Sequence, residues 1–296
     1  MSKMLLFIIL FLALWSCEGP NEKVIEKPVN YFSKVFGEYD AEMGYSIQET
    51  TDGGFILSGA TSSYWATDSL SRINDIQHGI TNAIIAKVDT VGEPEWIKVF
   101  GGDMFESAFN AGETDDGGYF FAGYTNSIGN GLYDFWLVKL DAFGNMEWEK
   151  TYGTAKADVG LFGDITSDGG YILTGYTILP NKTDKDFWLL KTNADGDSLW
   201  SSAFGNDANQ SANRVIELSN GGFVIIGETR GDSTNNDILI IKTDENGQEI
   251  WTKNIVESND DLVFSIKETP DGFIAVGTTT SLGAGNKDIW LHKLDA

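Results

Sequence analysis

Between Ser107 and Tyr152 the chain sets out four apolar runs of strand length: Ser107–Thr114, Tyr119–Tyr124, Phe135–Leu140 and Met146–Tyr152. In the third run Phe135 and Leu137 fall on one face and Trp136, Val138 and Leu140 on the other. A strand that is apolar on both faces is sandwiched between two layers. The fourth run is mixed, with Trp148, Lys150 and Tyr152 opposite Glu149 and Thr151, as suits an outer strand whose charges discourage edge-to-edge pairing. The first turn is Asp116-Gly117-Gly118 and the last carries Gly144; such pairs tolerate positive φ and match the twist of a hairpin. The pattern predicts a four-stranded antiparallel meander, here called strands A to D.

The first turn recurs as Asp52-Gly53-Gly54, Asp168-Gly169-Gly170, Asn220-Gly221-Gly222 and Asp271-Gly272, at successive spacings of 64, 52, 52 and 51 residues. A period of this size means a solenoid or a propeller. The longer first spacing reflects an insertion within Ser62 to Ile80. The fifth unit ends after strand C, at Trp290 to Ala296, while Tyr31-Phe32-Ser33-Lys34-Val35-Phe36-Gly37 matches the strand D sequence Glu95-Trp96-Ile97-Lys98-Val99-Phe100-Gly101 position for position. The expectation is therefore an all-β, five-bladed β-propeller over residues 31–296. Its four-stranded antiparallel blades form a ring closed by the N-terminal strand completing the last blade.

The motifs Asp-Gly-Gly-Tyr and Gly-x-Thr, followed by Asp134-Phe135-Trp136-Leu137-Val138-Lys139-Leu140-Asp141, Gly144 and Trp148, resemble the repeats of bacterial secreted β-propeller lipoproteins. Lys242 to Trp251 is also similar to the repeat of quinoprotein-like propellers, a group that includes redox enzymes and a non-enzymatic envelope assembly lipoprotein. The resemblance implies the fold and leaves the activity open.

The N-terminus suggests an address. Lys3 precedes an apolar run, Met4 to Trp15, too short to span a bilayer as a helix, so residues 1–16 read as a signal peptide. Leu14-Trp15-Ser16-Cys17 resembles a lipobox, which makes Cys17 the expected lipidation site and residues 17–30 a tether to a membrane of the bacterial cell envelope. Cys17 is the only cysteine, so no intramolecular disulfide forms.

Hydrophobic residues at 42% and 34 glycines fit an ordered, turn-rich β protein. A net charge of −24 repels nucleic acid, and partners should be neutral or basic, or bound through cations.

Residues needed in every unit have a structural explanation. Trp96, Trp148, Trp200 and Trp251 read as packing residues, Asp134, Asp186, Asp237 and Asp288 as loop-closing caps, and Glu49, Glu113, Glu217 and Glu268 as structural carboxylates. Only His78 and His292 exist, and no cysteine and histidine set frames zinc or a nucleophile. The acidic runs at Asn193–Asp197 and Asp244–Gly247 read as hairpin turns; no metal or cofactor is expected.

Candidate binding residues lie where the copies differ. Tyr64, Trp65 and Arg72 sit in the insertion, and Asp164 and Arg214 on strand A, which lines the channel of a propeller. The leading expectation is a monomeric, non-enzymatic module binding protein or glycan through its loop face. The alternatives are a glycoside-processing hydrolase, using channel carboxylates separated by roughly 5 to 9 Å, and a quinoprotein-like redox protein.

Overall fold

The structure, a computed structural model, describes residues 32–37, 41–62, 80–230, 235–255 and 257–295. The chain divides into two units, Met1–Phe32, of which Phe32 alone is described, and Ser33–Ala296, which holds every strand. The signal segment, Cys17 and the tether lie outside the described residues, as do Tyr64, Trp65, Arg72 and His78. Among the described residues no helix is long and apolar enough to cross a membrane.

Five antiparallel sheets follow one another in sequence order. The first contains β1 (Glu42–Glu49), β2 (Phe55–Thr61), β3 (Asn82–Val88) and β4 (Pro94–Phe100). The second contains β5 (Glu106–Glu113), β6 (Tyr119–Thr125), β7 (Asp134–Leu140) and β8 (Met146–Tyr152). The third contains β9 (Val159–Ile165), β10 (Tyr171–Thr177), β11 (Asp186–Thr192) and β12 (Ser198–Phe204). The fourth contains β13 (Asn209–Glu217), β14 (Phe223–Arg230), β15 (Asp237–Thr243) and β16 (Glu249–Ile255). The fifth has three strands, β17 (Asp261–Thr269), β18 (Gly272–Thr279) and β19 (Asp288–Asp295). The predicted strands match the observed ones to within a residue or so at their ends, and each sheet is a blade-like meander.

The repeated turn is explained by a side chain far from it in sequence. Asp116 Oδ1 accepts bonds from the Gly118 amide (3.0 Å) and the Thr114 hydroxyl (2.6 Å), while Gly117 takes φ 78°. A Cβ on Gly118 would lie 2.4 Å from the Leu140 carbonyl and 2.5 Å from the Lys139 ammonium, so only glycine fits. Lys139 is buried; its ammonium reaches Asp116 (2.9 Å), Glu147 (2.9 Å) and the Leu140 carbonyl (3.1 Å), tying the A to B turn to strand D. Lys87 does the same with Asp52 and Glu95, Lys191 pairs with Asp168, and Lys293 with Asp271. In the fourth unit Asn220 replaces the aspartate, and the Lys242 ammonium lies over the Phe273 ring, 5.7 Å from its centre.

Apolar side chains fill the four seams between successive sheets. Trp96, Trp148, Trp200 and Trp251 each reach across a seam and meet an aromatic ring of the next sheet edge-on: Tyr119, Tyr171, Phe223 and Phe273. This is the packing role their recurrence predicted. Three seams carry a polar latch as well. Glu113 accepts bonds from the Thr51 amide and hydroxyl, Glu217 from Ser167 and Glu268 from Ser219.

Residues 32–37 form no strand, and the expected pairing of this segment with β19 is absent from the described residues. Sheet contacts run from the first to the fifth, with no comparable contact between the fifth and the first among the described residues. Both end faces therefore leave apolar side chains uncovered: Ile289 and Leu291 are 84% and 66% exposed at one end, Ile47 61% at the other.

The ion pairs predict an acid sensitivity. Asp116 is held down to about 2, chiefly by the Thr114 hydroxyl, with the Lys139 ammonium and Gly118 amide also lowering it against burial. Asp52 is held well below the usual carboxylate range, first by Lys87. A depressed folded value means stability that is present above the unfolded pKa and lost as pH falls through the folded one. The urea midpoint should fall between about pH 4 and pH 2, and Asp116→Asn should cost at most about 1 kcal/mol at neutral pH given the exposure of its carboxylate, with a flatter acid limb.

Candidate functional site

β1, β5, β9, β13 and β17 are the inner strands, each packed against the next. All five carry a β-bulge at the same repeat position, which singles out Tyr45, Phe109, Leu161, Asn213 and Phe264. A bulge leaves one residue unpaired and re-aims its side chain. Tyr45 is 40% exposed and Phe264 52%.

Two of these residues begin an aromatic ladder. The Tyr45 and Phe109 rings are 4.7 Å apart, Phe109 and Tyr124 5.8 Å, and Tyr124 meets Tyr133 edge-on at 5.3 Å. Tyr176 occupies the repeat position of Tyr124, and the Lys185 ammonium sits 3.9 Å above its ring. Burial raises the hydroxyl pKa of Tyr45, with Tyr124 adding to it; burial does the same for Tyr176, helped by Tyr133, Tyr124 and Asp158. Tyr124 stands next to the end of β6 and Tyr133 just before β7, so the ladder lies at the end of the blades that bears the B to C loops. The insertion leaves from the same end, where the Ser62 amide donates to the Ala41 carbonyl (2.9 Å).

In the fourth blade a polar pair replaces the aromatic one. Asn213 donates to Glu228 (3.1 Å), whose carboxyl is raised by burial. Tyrosines present large, stiff, amphipathic surfaces at little entropic cost, which suits binding better than bond cleavage.

Asp164 and Arg214 lie on neighbouring inner strands, Asp164 next to the tight-turn end of β9 and Arg214 directly after the bulge residue Asn213. The Arg214 guanidinium lies over the Phe162 ring at 4.4 Å. Burial raises the Asp164 carboxyl, and Arg214 partly offsets this; burial lowers Arg214. The other acid that acts on Asp164 is Glu217, whose two oxygens are taken by Ser167. Tyr64, Trp65 and Arg72 lie outside the described residues.

His292 is half-buried and stacks on Trp290 at 5.0 Å with an interplanar angle of 2°. The acidic runs behave as hairpin turns: Asp244 accepts from the Asn246 and Gln248 amides, and Asn193 from the Asp197 amide. Among the described residues no three of His, Cys, Asp and Glu group as metal ligands. The bulge residues escaped sequence reasoning: aligned by the period, this position reads Tyr, Phe, Leu, Asn and Phe, and the position after it varies as much, reading Ser46, Asn110, Phe162, Arg214 and Ser265.

No family model and no curated protein matches the chain. Among solved structures, a beta-1,2-mannobiose phosphorylase from Listeria innocua in complex with beta-1,2-mannobiose is similar over 87% of this chain and 91% of its own, at 11% identity and a TM-score of 0.44. The tail fibre of Staphylococcus aureus phage P68 (12% identity, TM-score 0.35) is matched over 86% of this chain and 50% of its own. A subtype N11 neuraminidase-like protein of the flat-faced bat isolate H18N11 (13% identity, TM-score 0.35) is matched over 84% and 74%. Likeness this distant selects no substrate.

Phe109 touches aromatic rings on both sides and Tyr45 only one in this ladder. Phe109→Ala should cost about 1 to 2 kcal/mol of unfolding free energy, and Tyr45→Ala less, because more of Tyr45 already faces solvent; urea unfolding of the two variants checks the order.

Proposed function

We propose that this protein is a non-enzymatic binding module, tethered to a bacterial envelope membrane through Cys17, which takes a neutral glycan on the aromatic ladder at its loop end. The observation that carries the reading is the ladder that the bulge residues Tyr45 and Phe109 form with Tyr124 and Tyr133 beside the root of the insertion. Ring faces with hydroxyl rims stack on sugar rings and bond their hydroxyls, and the net charge of −24 favours an uncharged ligand over an acidic one. Tyr64, Trp65 and Arg72 of the insertion extend this surface in the proposal. Binding to immobilised neutral glycans, measured by array and calorimetry, should be lost at least tenfold in a Phe109→Ala, Tyr124→Ala double variant. Glycan turnover that Asp164→Asn abolishes would overturn the non-enzymatic reading, and retention of a protein alone would replace the glycan. Cys17→Ser should release the protein from membranes.

We further propose that the five blades close into a ring, with residues 31–37 as the outer strand of the fifth. Support comes from the contacts of this segment with the first blade. Lys34 ion-pairs with Glu93, as Lys98 reaches Asn145 and Lys150 reaches Asp197 in the next two seams. Phe36 and Leu57 line one cavity and hold the repeat positions of Phe100 and Phe121, whose rings are 5.2 Å apart in the first seam. By the repeat, the β7 to β8 pair Val138 and Glu149 becomes His292 and Ser33. In a Cys17→Ser background, Ser33→Cys with His292→Cys should form an intramolecular disulfide on oxidation; its absence, or a disulfide-linked dimer, would refute closure within one chain.

A further inference from the structure

At the loop end of the seams, the first residue of strand C in one blade meets a residue at the start of strand A in the next. The glycine that ends strand D marks the meeting point. A Cβ on Gly153 would lie 1.8 Å from Asp134 Oδ1 and 3.0 Å from Asp158 Oδ2. In the first seam the same point on Gly101 lies 2.1 Å from Asn82 and 2.6 Å from Glu106; in the third, on Gly205, 1.8 Å from Asp186 and 2.7 Å from Gln210.

The seams differ in charge. The first holds one carboxylate, Glu106, satisfied by the Thr125 hydroxyl and the Gly102 and Ser127 amides. The third holds Asp186 opposite the neutral Gln210, and it has its own cation: the Lys182 ammonium lies 2.9 and 3.0 Å from the two Asp186 oxygens and donates to the Asn206 carbonyl (3.2 Å). The second seam has two carboxylates and, among the described residues, no such ammonium; the fourth also has two at these positions, Asp237 and Asp261, of which Asp261 Oδ1 has no partner among the described residues. Asn130 stands at the repeat position of Lys182, and Asp158 at that of Gln210. The nearby Lys156 is turned away, donating to the Leu179 and Lys182 carbonyls.

Asp134 is 1% exposed and Asp158 0%. Asp134 Oδ2 accepts the Asn130 and Gly131 amides, and Asp158 Oδ2 the Thr154 amide and hydroxyl. On each residue Oδ1 has no partner among the described residues. Two buried carboxylates with unpaired oxygens repel each other and lose their hydration, a combination that persists only when a positive charge joins them.

We propose that the seam between the second and third blades binds a hard metal cation of the calcium class at the facing carboxylates of Asp134 and Asp158, where the third seam uses the Lys182 ammonium. Oxygen donors alone suit such an ion, and water completes its coordination. The Asp158 amide donates to the Tyr133 carbonyl (2.7 Å), so the ion holds the Tyr133 end of the aromatic ladder in place.

The test uses the full chain, freed of metal by a chelator. Calcium in large excess over its dissociation constant should raise the melting temperature by roughly 5 °C, and terbium should show luminescence sensitised by nearby tyrosine that calcium displaces. Asn130→Lys with Asp158→Gln, which installs the third seam's own pair, should fold and lose both responses. Should that pair fail to fold, Asp158→Asn takes its place in the same comparison. Neither response in the unmodified chain, or responses undiminished in the variant, would overturn the proposal; so would stabilisation by mild acid with no response to metal, since a shared proton would then join the carboxylates.

Discussion

A buried ammonium holds each of the first three blades together. In these blades the lysine of strand C is placed in the sheet interior because its neighbours on both sides are apolar, and it persists there because carboxylate oxygens and a backbone carbonyl surround it, two carboxylates for Lys87 and Lys139 and one for Lys191. In the first blade the Lys87 side chain is 1% exposed while its partners Asp52 and Glu95 stay about half in water, so one charge is desolvated rather than three. The arrangement joins the A to B turn, strand C and strand D with a single side chain. It also explains why the second glycine of the turn admits no Cβ: the space is taken by the ammonium and the carbonyl it binds.

With the blades made rigid, the seams carry the differences. Tryptophans and aromatic partners repeat from seam to seam, and the glutamate latch appears wherever the facing turn offers a hydroxyl. The third unit has Ile165 in place of glutamate, and the turn it faces has Asp115 in place of threonine or serine, so the loss on one side matches the loss on the other. The same turn position in the fifth unit is Pro270, which has neither an amide hydrogen nor a hydroxyl to give to Glu49. A seam between the fifth and first blades would rest on apolar contact and the N-terminal segment, without a latch.

Functional surfaces arise on such a scaffold where equivalent positions are allowed to diverge. The five bulges share a backbone and differ in side chain, so the fold keeps their geometry constant while the chemistry changes from tyrosine and phenylalanine to asparagine. Seam charge varies in the same way: one carboxylate in the first, two in the second, a carboxylate with its own lysine in the third, and two again in the fourth.

Period and pattern alone determined the blades, their strand order, the turn chemistry and the structural role of the repeated tryptophans, aspartates and glutamates, because hydrogen-bonded meanders and hairpin turns are local. The lysine ties, the aromatic ladder and the facing carboxylates were decided only by the tertiary structure. Lys139 and Asp116 are 23 residues apart and Tyr45 and Phe109 are 64 apart; nothing in either stretch fixes the bulge that turns a ring toward its neighbour or the seam that brings Asp134 against Asp158. Side chains from different blades meet only after the sheets have packed, and that meeting creates the site.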